Sequence, residues 1–151
     1  MNARHLLITC VVALVCTPAM AFAAETDTSA PQFETRDGPV KLTVHLDKTT
    51  ARVADPINLV LEVDAPKGAR VELPAKAERL GEFEVRQSDR TTDIPSAQQT
   101  DERTWSLQLT LESIKTGALT VPPMEIHYTT DAASTEFKAL STKPKEVFNF
   151  Q

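Results

Sequence analysis

The chain has 151 residues, a formal net charge of -5 and an aromatic content of only 5%. The acidic balance argues against nucleic-acid binding and against docking on anionic lipid, because both need a basic surface. The length is that of a single domain.

The N-terminus predicts a secretory signal peptide, residues 1–23. Arg4 precedes an apolar stretch at residues 6–16, and Pro18 ends that stretch. Small residues favour cleavage after Ala23, with cleavage after Ala21 as the second choice. The alternative is an uncleaved membrane anchor, but ~11 apolar residues fall short of the ~20 that span a bilayer. We therefore expect a periplasmic protein without stable membrane insertion after signal cleavage.

Both cysteines, Cys10 and Cys16, lie inside the predicted signal. The mature chain of about 128 residues would then contain no disulfide, although its compartment permits them. Lipid attachment is not expected, because Thr9 and Val15 precede the cysteines where a small residue is needed. Loss of Arg4 with the signal changes the net charge from -5 to about -6.

The mature chain begins with a polar lead-in, residues 24–38, whose turn residues predict flexibility. From Pro39 onward apolar and polar residues alternate, which is typical of half-buried strands. Strands are predicted at Val40–Leu46, Ile57–Val63, Val71–Leu73, Phe83–Val85 and Trp105–Leu111. The polar segment Asp89–Glu102 is predicted to be a long loop and the most mobile internal part of the domain.

The Pro122-Pro123 step predicts a kink or a crossing between two sheets. Apolar residues occupy odd positions before it (Leu119, Val121) and even positions after it (Met124, Ile126, Tyr128). A continuous strand would point these two sets to opposite faces. Because proline cannot donate to a strand ladder, the step should also lie near a sheet edge.

The C-terminal part predicts a final hairpin, from Phe137 and Ala139 to Val147–Phe150, with Lys143-Pro144-Lys145 in its connection. Phe148 and Phe150 fall on one face of the last strand, which is expected at an edge. Their rings either close the core, which we favour, or contact a partner.

These elements predict an all-β fold, an immunoglobulin-like antiparallel β-sandwich of about seven to nine short strands over residues 39–151. A small closed sheet is the other arrangement that such strand spacing allows. No helical periodicity and no internal repeat is visible.

No sequence motif predicts catalysis, cofactor binding or a metal site. The mature chain lacks a cysteine nucleophile, a G-x-S-x-G elbow and a glycine-rich phosphate loop. His45 and His127 alternate with apolar neighbours, so they should face solvent rather than share a metal. Glu82 and Glu84 are better explained as a charged strand face than as a glycosidase pair. We therefore predict a protein that is not an enzyme.

Two binding alternatives remain open from the residues alone. Asp47, Asp55 and Asp64 lie in predicted turns and could hold calcium, although no dense Asp/Asn/Gly loop supports this. Trp105 and Tyr128 could form a ligand platform, but their alternation with apolar neighbours favours the core.

Several motifs, in order, resemble the BatD or oxygen-tolerance family. They are Asp37-Gly38-Pro39-Val40-Lys41-Leu42-Thr43-Val44, Val53-Ala54-Asp55-Pro56-Ile57, Val71-Glu72-Leu73-Pro74, Leu80-Gly81-Glu82-Phe83-Glu84-Val85, Trp105-Ser106-Leu107-Gln108-Leu109 and Gly117-Ala118-Leu119-Thr120-Val121-Pro122-Pro123. The resemblance covers about Asp37 to Tyr128. Two departures are that family members are usually longer, with a C-terminal membrane helix, and that position 54 is often glycine in the family.

The resemblance implies an immunoglobulin-like domain outside the cytoplasmic membrane, without catalytic residues. It also implies a protein partner in an envelope assembly. The expected partner is of the von Willebrand A type, because the genes of family members cluster with those of von Willebrand A-type proteins and a MoxR-type ATPase. We expect a protein-interaction or scaffold domain. The first alternative is a small-ligand or glycan-binding sandwich, and the second is a hydrolase.

The signal-peptide hypothesis makes a direct prediction. N-terminal sequencing of the protein from a periplasmic fraction should begin at Ala24, or at Phe22 for the second cleavage choice. Recovery of a chain that retains Met1 in the membrane fraction would contradict it.

Overall fold

The computed structural model describes residues 32–151, so the predicted signal peptide and its cleavage sites lie outside the described residues. Residues 32–151 form strands, turns and irregular connections, and no helix in them is long and apolar enough to cross a membrane. The all-β prediction is confirmed.

The described chain contains twelve β-strands. They are β1 (Gln32–Asp37), β2 (Val40–Leu46), β3 (Thr50–Arg52), β4 (Ile57–Pro66), β5 (Arg70–Glu72), β6 (Arg79–Leu80), β7 (Phe83–Pro95), β8 (Glu102–Glu112), β9 (Gly117–Val121), β10 (Glu125–Thr129), β11 (Lys138–Ser141) and β12 (Lys145–Phe150). The count exceeds the expected seven to nine, partly because sharp bends divide long segments into two strands each.

Six strands form one antiparallel sheet in the order β1-β2-β4-β8-β7-β6. Alternation places the apolar side chains of β2, β4 and β8 on one face, as predicted. They align in rows across the strands, for example Leu42, Val63 and Trp105. The prediction that Trp105 belongs to the core is confirmed, since only 4% of its surface is exposed.

Two three-stranded sheets, β11-β10-β5 and β3-β12-β9, complete the β-sandwich. Their inward side chains, including Leu119, Ile126 and Val147, join those of the large sheet in one hydrophobic cluster. The pairing of β3 with β12 is parallel, whereas the other strand pairs in the described residues are antiparallel.

The predicted crossing at Pro122-Pro123 is confirmed, because β9 and β10 belong to different small sheets. The segment between β11 and β12 crosses in the same way. Three residues separate β9 from β10 and three separate β11 from β12, so pairing resumes in the same register beyond the bend. Thr142 and Met124 join the two crossings: the Thr142 amide donates to the Met124 carbonyl at 2.8 Å, and the Met124 amide donates to the Thr142 hydroxyl at 2.7 Å.

This geometry corrects the predicted terminal hairpin. The strand containing Ala139 pairs with β10, and β12 pairs with β9 and β3, so the two are not partners. Lys143 and Pro144 form a crossing between sheets rather than a hairpin connection. The β12 strand also lies in the middle of its sheet, not at the edge that we expected.

The prediction of a flexible lead-in at residues 24–38 is wrong for the last residues of that segment. Gln32–Asp37 form β1, which pairs along its whole length with β2. Phe33 is also engaged, because the Lys145 ammonium lies 3.0 Å from the centroid of its ring. Backbone pairing orders this segment although its side chains are mostly polar.

The prediction that Asp89–Glu102 forms a loop is also wrong for most of that segment. Strand β7 continues to Pro95 and β8 begins at Glu102, which leaves a short turn between them. The register is interrupted between Thr91 and Ile94, where Asp93 adopts a left-handed φ of 52°. The carboxylate of Asp93 accepts a hydrogen bond from Arg103 at 2.7 Å, which ties this bulge to β8. An edge strand with solvated faces lacks the apolar alternation that identifies a strand in sequence.

The turn between β3 and β4 places Ala54 at a φ of 64°. The Arg52 amide donates to the Asp55 carboxylate at 3.1 Å, and the Ala54 amide donates to the Ser113 carbonyl at 3.0 Å. These bonds hold alanine in the left-handed region that glycine adopts at lower cost.

We therefore expect Ala54→Gly to stabilise the domain by about 0.5–1 kcal/mol, because relief of left-handed strain exceeds the added entropy of the unfolded chain. Chemical denaturation of both proteins measures the difference. Ala118→Gly, in an ordinary strand conformation, is the matched control and should lose about 0.5–1 kcal/mol. A loss of stability in Ala54→Gly would contradict this account.

Candidate interaction surface

The structure buries both members of the possible aromatic platform. Trp105 lies in the core row of the large sheet, and Tyr128 is 2% exposed. The Tyr128 hydroxyl donates a hydrogen bond to the carboxylate of Asp37, at the end of β1. The interpretation of both rings as core residues is confirmed.

Burial raises the pKa of Tyr128 to about 12, and the hydrogen bond to the Asp37 carboxylate adds to the shift. Both effects favour the neutral phenol over the phenolate. The pair links the first strand of the large sheet to β10 of a small sheet. It therefore contributes to closure of the sandwich rather than to a ligand site.

The candidate metal ligands and acid–base residues do not come together. His127 has its Nε2 3.2 Å from the carboxylate of Glu125, and His45 lies elsewhere, on β2. Glu82 pairs with Lys115 at 2.6 Å, and Glu84 pairs with Arg86 at 3.2 Å. Within residues 32–151, no group of three His, Cys, Asp or Glu side chains could hold a metal ion.

The three aspartates considered for calcium have structural partners instead. Asp47 accepts hydrogen bonds from the amide and side chain of Asn58 at 2.9 and 3.0 Å. Asp55 caps the turn at Arg52, as described above. Asp64 accepts a hydrogen bond from the Thr104 hydroxyl at 2.7 Å and pairs with Lys41 at 2.8 Å.

The most distinctive surface lies on the outer face of β3-β12-β9, here named the β12 face. Phe148 is 53% exposed and Phe150 is 38% exposed, whereas Val147 and Asn149 between and beside them are buried. The favoured expectation that both phenyl rings close the core is therefore wrong. Neighbouring strands contribute Thr50, Arg52, Ala118 and Thr120 to the same exposed face.

A buried amide explains why β12 turns its rings outward. The Asn149 side chain donates hydrogen bonds to the carbonyls of Ser113 and Lys115, at 3.1 and 2.6 Å. Asn149 is 2% exposed, so it must face inward to reach these carbonyls. Because strand side chains alternate, Phe148 and Phe150 then point outward.

A broad groove continues the β12 face at its N-terminal end. Its lining residues are Phe33, Thr49, Thr120, Pro144, Lys145 and Glu146. Thr120 lies beside Glu146 in the strand register, so the groove and the exposed rings form one surface. The Phe33 ring under Lys145 gives the groove an apolar wall with a positive charge beside it.

The large sheet offers a less accessible edge. Strand β6 covers β7 at Phe83 and Glu84, and the Val85 amide donates to the Glu78 carbonyl at 2.9 Å. Beyond this, the Arg90 side chain donates to the Pro74 carbonyl, which draws residues 74–78 toward β7. Charges and bulges of this kind protect edges from pairing with other chains. The β12 face is therefore the better candidate for an interaction surface.

Sequence reasoning identified Phe148 and Phe150 but missed Arg52 and Glu146 as their neighbours. Glu146 shares the alternation of the two phenylalanines and could have been placed on their face from sequence. Arg52 could not, because its position beside Phe150 depends on the parallel pairing of β3 with β12.

In a comparison with family models, a family described as BatD DUF11 like domain matches residues 44–147. The matched region is about two thirds of the chain and runs from β2 into β12. Neither the curated proteins nor the solved structures contain a match.

The Tyr128 environment predicts a specific pH dependence. The folded pKa of about 12 exceeds the ordinary value near 10. The stabilisation linked to the neutral phenol is therefore complete below about pH 10 and is lost as the pH rises toward 12. Its full size is about 3 kcal/mol, from two pKa units.

Ultraviolet titration of tyrosinate measures this pKa directly, because Tyr128 is the single tyrosine of the chain. We expect a midpoint well above 10 in the native domain and a lower one in Asp37→Asn, which keeps the burial but removes the charge. A midpoint near 10 in the native protein would show an exposed phenol and refute the buried contact.

Proposed function

Because the chain belongs to the BatD family, we propose that it is a non-catalytic interaction domain that acts in the periplasm within an envelope assembly. The observation that carries this proposal is the pair of exposed rings, Phe148 and Phe150, on a regular sheet face. Aromatic residues are enriched where proteins bind one another, and they are often the residues that contribute most to affinity.

Two further features support the proposal. The predicted signal peptide supports a periplasmic location, although it lies outside the described residues. The β12 face is a strand surface set by a buried amide, so the rings have defined positions before binding. Binding then costs this domain less conformational entropy than it would if the rings lay on a mobile loop.

The proposed partner is a von Willebrand A-type envelope protein, as the family resemblance implies. The β12 face would supply the apolar centre of the interface, and the adjoining groove with Lys145 and Glu146 would supply a polar rim. Interfaces commonly have this arrangement, in which the rim limits water access to the buried centre.

The test is affinity retrieval from an envelope extract with the mature chain as bait. Wild-type protein should retrieve a von Willebrand A-type protein that mass spectrometry identifies. The double variant Phe148→Ser with Phe150→Ser should lose most of it, because the apolar centre is removed. Ile94→Ser is the matched control, since Ile94 is 41% exposed on a different strand and its loss should leave retrieval unchanged.

Folding of the variants is checked by circular dichroism and by the fluorescence of buried Trp105. Loss of retrieval by folded double variant, with the control intact, supports the proposal. Equal retrieval by wild type and double variant, or no von Willebrand A-type protein with either, would overturn it.

The exposed rings also favour a second candidate, a small-ligand or glycan-binding module, because sugars stack on aromatic faces. Binding of soluble peptidoglycan fragments, measured by calorimetry, discriminates between the two functions. Saturable binding that disappears in the double variant would favour the glycan function.

A further inference from the structure

We propose that the β12 face also binds the β12 face of a second copy of this chain, forming a weak two-fold dimer. This inference rests on the proposed function, because it assumes that the face is a protein-contact surface. The inference adds to the proposed function a second partner, another copy of the chain, and the relative orientation of the two copies.

The charges on this face are arranged antisymmetrically around Phe148. Glu146 lies two residues before Phe148 on β12, and Phe150 lies two residues after it. Arg52 lies beside Phe150 in the parallel register of β3 and β12. A step of two residues along a strand is about 6.6 Å, so the acid and the base stand about 13 Å apart with a phenyl ring at the centre.

Both charges are available to a partner. Within residues 32–151, neither the Arg52 guanidinium nor the Glu146 carboxylate takes part in a salt bridge. Arg86 and Glu112, by contrast, pair with each other at 2.7 Å. The two charges that flank the rings can therefore form ion pairs across an interface.

Antiparallel stacking of two such faces satisfies both charges at once. A two-fold axis in the plane of the interface, perpendicular to β12 at Phe148, places the Phe148 rings against each other. The Glu146 end of one copy then lies over the end that carries Phe150 and Arg52 in the other, and symmetry repeats this contact. Parallel stacking would place Glu146 over Glu146, so like charges exclude it.

The edge of β7 does not offer the same self-complementarity. Its regular stretch runs from Gln87 to Thr91, between two irregularities. Full antiparallel overlap with a second copy would put Asp89 opposite Asp89, and a shift in either direction would put Arg90 opposite Arg90 or Arg86. Like charges directly opposite each other destabilise a strand pair.

The size of the face limits the affinity. The three strands lie about 4.8 Å apart and have three, six and five residues in β3, β12 and β9. They cover at most roughly 15 by 17 Å, which is below the ~800 Å² per partner of a typical stable interface. Self-association should therefore be weak and reversible. A reversible dimer leaves the face accessible to another envelope protein as that partner becomes abundant.

Sedimentation equilibrium of the mature chain over a wide concentration range tests the dimer. Wild type should show reversible monomer–dimer behaviour. Glu146→Arg and Arg52→Glu should each weaken association by about tenfold or more, because each places like charges together twice. An equimolar mixture of the two variants should recover wild-type association, since the mixed dimer has opposite charges at both ends.

The double variant Glu146→Arg with Arg52→Glu should also associate as the wild type does. Lys138→Glu, a charge reversal on β11, is the matched control and should have no effect. A strictly monomeric wild type, or single reversals that fail to rescue each other in the mixture, would overturn the proposed dimer. Retrieval of a von Willebrand A-type protein is measured separately, so a failed dimer and a failed envelope interaction are distinguishable.

Discussion

The sandwich depends on one constraint: the long hairpin of β9–β10 with β11–β12 must bend without losing its register. Prolines occur in both arms of the bend. They are tolerated there because these residues lie between strands, where no ladder hydrogen bond requires a backbone amide. Hydrogen bonds between Met124 and Thr142 keep the arms paired through the bend. The bend also reverses which alternate side chains face inward. Val121 before it and Met124 after it can therefore both enter the same core.

Much of this architecture could be predicted from the sequence. The alternation of β2, β4 and β8 identified the buried face of the large sheet, and the change from odd to even positions at Pro122-Pro123 identified a crossing. The same alternation places Trp105 and Tyr128 in the core. These features are local, because each can be recognised within about ten residues of chain.

The errors have a common physical cause, which is that pairing partners are distant in sequence. Strand β7 is ordered by its ladder with β8 although its own side chains alternate weakly. The orientation of β12 could not be predicted, because hydrophobicity favours burying Phe148 and Phe150. The carbonyls of Ser113 and Lys115 instead fix the orientation, because they accept hydrogen bonds from the Asn149 side chain and so hold Asn149 on the inner face. The candidate surface therefore depends on a contact between residues 36 positions apart in the chain.

The central position of β12 also affects the order of events during folding. Strands β3 and β9 pair with β12 and with no other strand of the described chain. A ribosome releases β3 almost a hundred residues before β12. Until residues 145–150 are available, one side of the core stays uncovered, and the contacts that close it span most of the chain. Folds closed by such distant contacts form slowly. For a chain that we expect to be exported, the delay would keep the polypeptide incompletely folded, as translocation requires, until synthesis is nearly complete.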